Sequence, residues 1–125
     1  MKKLILLSIL SILMIGCSKE EENIDYAKQV VGKYKTKSLN SNGTFATIPD
    51  NVEAYHVISY RSFNKVDLLQ DFPNGRSSLY NIDVSKNNLS STLSDSKFVG
   101  SVNGNTLTFT LTMYTGEYVS CMSVK

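Results

Sequence analysis

The stretch Asn105-Thr106-Leu107-Thr108-Phe109-Thr110-Leu111-Thr112-Met113 constrains the fold more than any other. Leu107, Phe109, Leu111 and Met113 take every second position, and threonines fill the positions between. Successive side chains of a strand point to opposite faces, so this run buries one face and leaves the other in water. The segment is predicted as a half-buried antiparallel strand, with Phe109 on the buried side.

The rest of the chain repeats that grammar. Strands are predicted over 30–39, 44–48, 54–63, 66–72, 77–84, 89–93, 97–102, 105–113 and 117–124, from alternation and from β-branched and aromatic content. In 77–84, Tyr80, Ile82 and Val84 share one face. Asn42-Gly43, Asn64, Pro73-Asn74-Gly75, Asn103-Gly104 and Thr115-Gly116 supply the turns. Residues 24–31 hold one or two helical turns, with Tyr26, Val30 and Val31 toward the body. Short strands at this spacing mean a sandwich or a barrel. The hairpin-like loops favour an up-and-down meander, and a meander of eight strands loses its open edges by closing. The fold expected is all-β, a small antiparallel up-and-down barrel of about eight strands. The alternatives are a β-sandwich or an open half-barrel.

The first 29 residues obey different rules. Lys2 and Lys3 precede a twelve-residue apolar run, Leu4 to Ile15, interrupted by Ser8 and Ser11. As a helix it spans about 18 Å, short of the roughly 30 Å hydrocarbon core, so a cleaved export signal fits better than a transmembrane anchor. Met14-Ile15-Gly16-Cys17 resembles the lipobox of bacterial lipoproteins. That resemblance implies diacylglycerol on the Cys17 thiol, cleavage before Cys17, and acylation of the new amino group. Ser18 after the cysteine resembles lipoproteins sorted to the outer membrane. Lys19-Glu20-Glu21-Glu22 resembles the signal that carries Bacteroidota lipoproteins to the cell surface; the alternative is a solvated tether. The organisation expected is a signal peptide over 1–16, a lipidated acidic tether over 17–29 and a β domain over 30–125.

Removing residues 1–16 from the 125 leaves 109, enough for one domain with one core. Thirteen basic and eleven acidic residues become eleven of each once Lys2 and Lys3 are gone. A neutral chain lacks the basic stripe that nucleic acid demands. Cys121 sits in an alternating apolar segment and, with Cys17 lipidated, has no partner within the chain. It reads as a small buried hydrophobe rather than a reactive thiol.

Val31-Gly32-Lys33-Tyr34 at the head of the first strand resembles the Gly-x-Trp opening of lipocalin-like barrels, with Tyr34 in place of the tryptophan. The segment Phe98 to Leu107, with Gly100 and Gly104, resembles a hairpin found in small Bacteroidota lipoproteins of that class. The resemblance covers about residues 30–125 and implies binding of a small ligand or a protein.

Catalytic signatures are sparse. His56 is the sole histidine, and within an alternating strand it reads as structural rather than as a base or metal ligand. No local motif accompanies any serine. Asp67 and Asp71 share a strand face about 13 Å apart, too far to act on one bond. Cys/His clusters and a phosphate-binding glycine loop are missing. The expectation is a non-enzymatic binding or interaction module with no cofactor and no metal, held at the outer membrane by its lipid and displayed on the surface. The alternatives are a carrier of a small apolar ligand and an inhibitor or immunity-type protein with a protein partner. Seven tyrosines and five phenylalanines either build the core or line a cavity, and the core reading is preferred. For a cavity, Tyr34, Tyr80 and Phe109 are the ligand-binding candidates. Bulk from Leu107, Phe109, Leu111 and Met113 on one strand and from Tyr80, Ile82 and Val84 on another predicts a filled interior with at most a shallow apolar cleft at one mouth.

Overall fold

The computed structural model describes residues 24–125; Cys17 and Lys19, Glu20, Glu21 and Glu22 lie outside them. A single helical turn, α1 (Ala27–Val30), precedes nine strands: β1 (Gly32–Ser41), β2 (Thr44–Thr47), β3 (Tyr55–Ser62), β4 (Lys65–Phe72), β5 (Gly75–Ser85), β6 (Asn88–Thr92), β7 (Ser96–Asn103), β8 (Thr106–Met113) and β9 (Tyr118–Val124). Eight of them, all but β2, form an antiparallel meander that β1 and β9 close into a barrel. The expected fold is the observed one, with β2 as an additional strand.

Closure follows from the length of β1. Its first half pairs with β3 (Gly32 with Ile58, Lys35 with Tyr55). Its second half pairs on the same side with β2 (Ser38 with Thr47, Ser41 with Thr44). The opposite side pairs with β9 from Lys35 to Ser41. The β1–β2 hairpin therefore reaches past the start of β3 while staying alongside β9, and all four β2 residues are exposed, Phe45 among them. Asn42 and Gly43 both have positive φ, +52° and +91°, the primed turn that matches strand twist.

The core is read in steps of two along each strand: Tyr34 and Thr36, His56 and Ile58, Val66 and Leu68, Ile82 and Val84, Phe98 and Val102, Leu107 and Phe109, Cys121 and Ser123, all buried. Gly100, between Phe98 and Val102, faces Phe109 across the β7–β8 pair. A Cβ there would stand 2.7 Å from both Phe109 Cβ and the Thr108 carbonyl oxygen. Gly100 thus sets how closely β8 brings Phe109 to the core. Lys33, Arg61, Lys97 and Thr108 face outward and are exposed. An apolar interior under a polar wall is the reverse of a barrel whose outer belt meets lipid. Among the described residues, no helix is long and apolar enough to cross a membrane.

Two expectations are corrected. The β7–β8 turn is Gly104-Asn105, not Asn103-Gly104, because Asn103 pairs with Thr106. Gly104 takes φ +61° at the first turn position, where a two-residue hairpin of this type requires glycine. The face shared by Tyr80, Ile82 and Val84 is also broken. Leu68 pairs with Leu79 and Val66 with Ile82, so Tyr80 and Asn81 together oppose Asp67. That bulge puts Asn81 at φ +62°, with its N–H donating to Asp67 Oδ1 at 3.0 Å. Ile82 and Val84 remain buried, whereas Tyr80 is 63% exposed on the outside.

Candidate functional site

The barrel has two unlike ends. One carries α1 and the β3–β4, β5–β6 and β7–β8 turns. The other carries the β1–β2 hairpin and the β4–β5 and β8–β9 turns.

α1 plugs the first end. Ala27 and Val30 are buried in the core cluster, with Tyr26 packed against it. Asp25 fixes the plug to the β3–β4 turn. Its Oδ1 accepts from the Asn64 N–H at 2.9 Å, its Oδ2 accepts from the Tyr60 hydroxyl at 2.7 Å, and the Tyr26 N–H donates to Asn64 Oδ1 at 2.7 Å. The Asn64 N–H is the main reason the Asp25 carboxyl sits below its ordinary pKa; the Tyr60 hydroxyl adds to it. Tyr34 supports the plug from within. It is 1% exposed, and its hydroxyl donates to the Val30 carbonyl at 2.7 Å. Burial raises its pKa. Lys125 closes the same corner, with Nζ 5.8 Å from the Tyr34 ring centre and donating to the Val31 carbonyl at 3.1 Å. Tyr34 is thus a pillar of the plugged end and lines no ligand space.

The second end keeps a cleft of about 170 Å³, lined by His56, Leu68, Gln70, Ser77, Ser78, Leu79, Phe109 and Leu111. Its floor is a polar network inside the barrel. His56 Nδ1 lies 2.8 Å from Thr36 Oγ1 and 2.9 Å from Ser123 Oγ, and the Ser123 hydroxyl donates to Thr36 Oγ1 at 3.3 Å. On the other side of the ring, Nε2 lies 3.1 Å from Gln70 Oε1. The neutral ring gives each of these side chains a partner. Nε2–H donates to the amide oxygen, Nδ1 accepts from Thr36, and Thr36 accepts from Ser123. Thr36, His56 and Ser123 are each fully buried. Burial pushes the His56 pKa down, and the bond to Gln70 opposes this only in part. Phe72 and Phe109 stand edge-on to the imidazole at 5.4 and 4.9 Å.

The hydrogen bonds of this floor all run between side chains of the barrel itself. The partner of Nε2 is an amide, which does not stabilise an imidazolium as a carboxylate would. Ser123 has no exposed surface. No group of three His, Cys, Asp or Glu among the described residues is arranged to hold a metal. Asp67 and Asp71 face their own cations, Arg61 at 3.1 Å and Arg76 at 3.0 Å. Cys121 is 5% exposed, and burial pushes its thiol pKa up to about 12, which keeps it a protonated hydrophobe.

Of the three aromatics singled out in the sequence, the structure brings only Phe109 to the cleft. Tyr80 is outside, turned away by the bulge, and Tyr34 is at the opposite end. Thr36 and Ser123 were not singled out, yet each stands two residues from a buried apolar neighbour, Tyr34 and Cys121. That step of two was the available signal.

The cleft is backed by an opening in the wall. β5 has eleven residues, but only Asp83, Val84 and Ser85 pair with β6. From Gly75 to Ile82, β5 pairs with β4 alone. Ser77, on the inward side with Leu79, is exposed. The chain matches no protein-family model, no curated protein and no solved structure.

Proposed function

We propose that the chain is an outer-membrane lipoprotein of a lipocalin-like kind. In this reading it is anchored through acylated Cys17, displayed on the cell surface by Lys19 to Glu22, and acts as a non-enzymatic interaction module. One observation carries the reading: the tether enters at the plugged end. Asp25, the second described residue, is bonded to the turn beside α1. The cleft, the open flank of β5 and the β1–β2 hairpin lie at the other end of the barrel from Asp25. A protein that presents a binding surface from a membrane needs this polarity.

The apolar lining of the cleft supports a second reading, carriage of a small ligand. Ligand pockets usually hold about 300–1,000 Å³. The cleft, at about 170 Å³, is smaller. It suits one ring or one short chain rather than a fatty acid.

Photo-crosslinking in intact cells tests the proposal. A crosslinking side chain is placed at exposed Phe45 on the β1–β2 hairpin, at exposed Tyr80 on the flank of β5, or at exposed Lys86 near the plug. Fatty-acid labelling is followed in the wild type and in Cys17→Ser. Protein adducts at Phe45 or Tyr80 but not at Lys86, with labelling lost in Cys17→Ser, are expected. Labelling that persists in Cys17→Ser, or adducts at Lys86 alone, would overturn the reading.

A further inference from the structure

We infer that the unpaired flank of β5 takes an extended, uncharged peptide strand from a partner protein, and that one apolar side chain of that strand fills the cleft behind it. This rests on the interaction-module reading and gives its partner a chemistry.

Three observations converge. The first is the backbone. Between Gly75 and Tyr80, β5 is bonded on one flank only. Six residues of strand present alternating N–H and C=O groups over about 20 Å, and the matching surface for such a row is another strand. The Tyr80–Asn81 bulge ends the run, and below it β6 resumes the pairing at Asp83.

The second is the cleft. The inward residues of this flank, Ser77 and Leu79, are part of its lining, with Leu68 beside Leu79 on β4 and with Phe109 and Leu111 from β8. Its volume of about 170 Å³ is that of one large apolar side chain; an apolar cavity of about 150 Å³ takes up benzene. A strand docked on β5 points every second side chain to the barrel's interior, so one of them meets the cleft.

The third is charge. Arg76 is engaged by Asp71 at 3.0 Å, Arg61 by Asp67 at 3.1 Å, and Lys65 by Asp83. These pairs leave the β4–β5 wall electrically balanced, so an uncharged strand loses nothing against a charged one. A second copy of this chain fits less well. The inward residues that its β5 would bring, Ser77 and Leu79, already line its own cleft.

The test is selection of displayed peptides, about seven residues long, on the full chain purified from its host. Enriched sequences should share one Leu, Ile, Met or Phe flanked by uncharged residues. A synthetic peptide of that sequence should slow amide exchange across Gly75–Tyr80. N-methylation of its alternate residues removes the backbone donors and should weaken binding about tenfold or more. Ser77→Trp, at an exposed position, covers the cleft and should weaken binding similarly while leaving the melt unchanged. Leu79→Trp fills it from within. Four outcomes would overturn the inference: no enrichment, indifference to N-methylation, full binding by both tryptophan variants, or exchange protection at Gly75–Tyr80 from self-association without peptide. Protection confined to the β1–β2 hairpin would also sink it, yet would leave the interaction module standing on its crosslinks at Phe45.

Discussion

The two ends of this barrel solve the same problem in opposite ways. An eight-stranded barrel must fill its interior and cover two openings. At the plugged end the cover is the chain itself: α1, held by Asp25 on the Asn64 turn and by Tyr34 beneath. At the open end the apolar filling stops short, and the transition to water is made by His56 with Thr36, Ser123 and Gln70. Burial along β8 traces the gradient, from Leu107 at 0% and Phe109 at 7% to the half-buried Leu111 and Met113. The lesson is that one end is finished by covalent continuity, whereas the other is finished by a buried polar network beneath an open cleft.

The comparison breaks first at Phe109, where the two regimes meet. Phe109 packs on Phe98 with ring centres 5.1 Å apart and forms one wall of the cleft. If the barrel is solid below the cleft, Phe109→Ala behaves as a core truncation and costs about 3–5 kcal/mol. Urea melts measure it. A near-normal melt, together with a lipid in the native mass spectrum of the wild type, would mean that the open end reaches far deeper, and the carrier reading would replace the interaction one.

A smaller effect separates the ends by pH. His56 is neutral in the folded barrel and its pKa is lowered from 6.5, with burial the main cause. The unfolded chain takes up a proton near 6.5, and the folded chain resists it until lower pH. Stability is therefore full above 6.5 and falls as pH drops from there toward the lowered value. Asp25 acts in a separate window. Its folded pKa lies below 3.8, so its contribution is present above 3.8 and is lost as pH falls through the lowered value. Acid should loosen the open end first and the plug last. His56→Leu should cost about 1–3 kcal/mol at neutral pH, because Gln70 and the Thr36–Ser123 pair lose a partner. It should also erase the slope that begins near 6.5. Melts of both proteins across that range check this. A slope that survives in His56→Leu would show that another group governs acid lability.

Much of the barrel is written locally. Alternation from Asn105 to Met113, the Asn42-Gly43 turn and the short spacing between turns require antiparallel hairpins, and closure follows from the cost of open edges. The site is less legible, for identifiable reasons. Thr36, His56 and Ser123 come from β1, β3 and β9, and only the β1–β9 closure brings Ser123 to the other two. The bulge at Tyr80–Asn81 depends on Asp67 receiving the Asn81 N–H across the pair. Alternation read along β5 alone therefore misplaces Tyr80. An asparagine within the strand, a residue type that tolerates positive φ, was the local hint. That β6 pairs with only the end of β5 is invisible to periodicity, since pairing partners leave no mark on a single strand.

The smallest expected effect tests whether the two ends are independent. The Tyr34 hydroxyl is the internal strut of the plug, and its one recorded acceptor is the Val30 carbonyl at the end of α1. Tyr34→Phe keeps the ring, the Lys125 contact and the packing, and removes that single bond. Val30 is 3% exposed, so its carbonyl loses its partner with little access to water, and the cost should be about 1 kcal/mol. Amide exchange should quicken over α1 and at the Asn64 turn while Leu79, Leu111 and the His56 network keep the protection of the wild type. That pattern follows if the plug and the cleft are separated by a packed layer of Ile58, Val66, Phe98 and Leu107, each at most 1% exposed. Faster exchange at Leu79 and Leu111 in Tyr34→Phe would show that the layer transmits the change. The tethered end would then be able to tune the open one, and the division of labour between them would have to be given up.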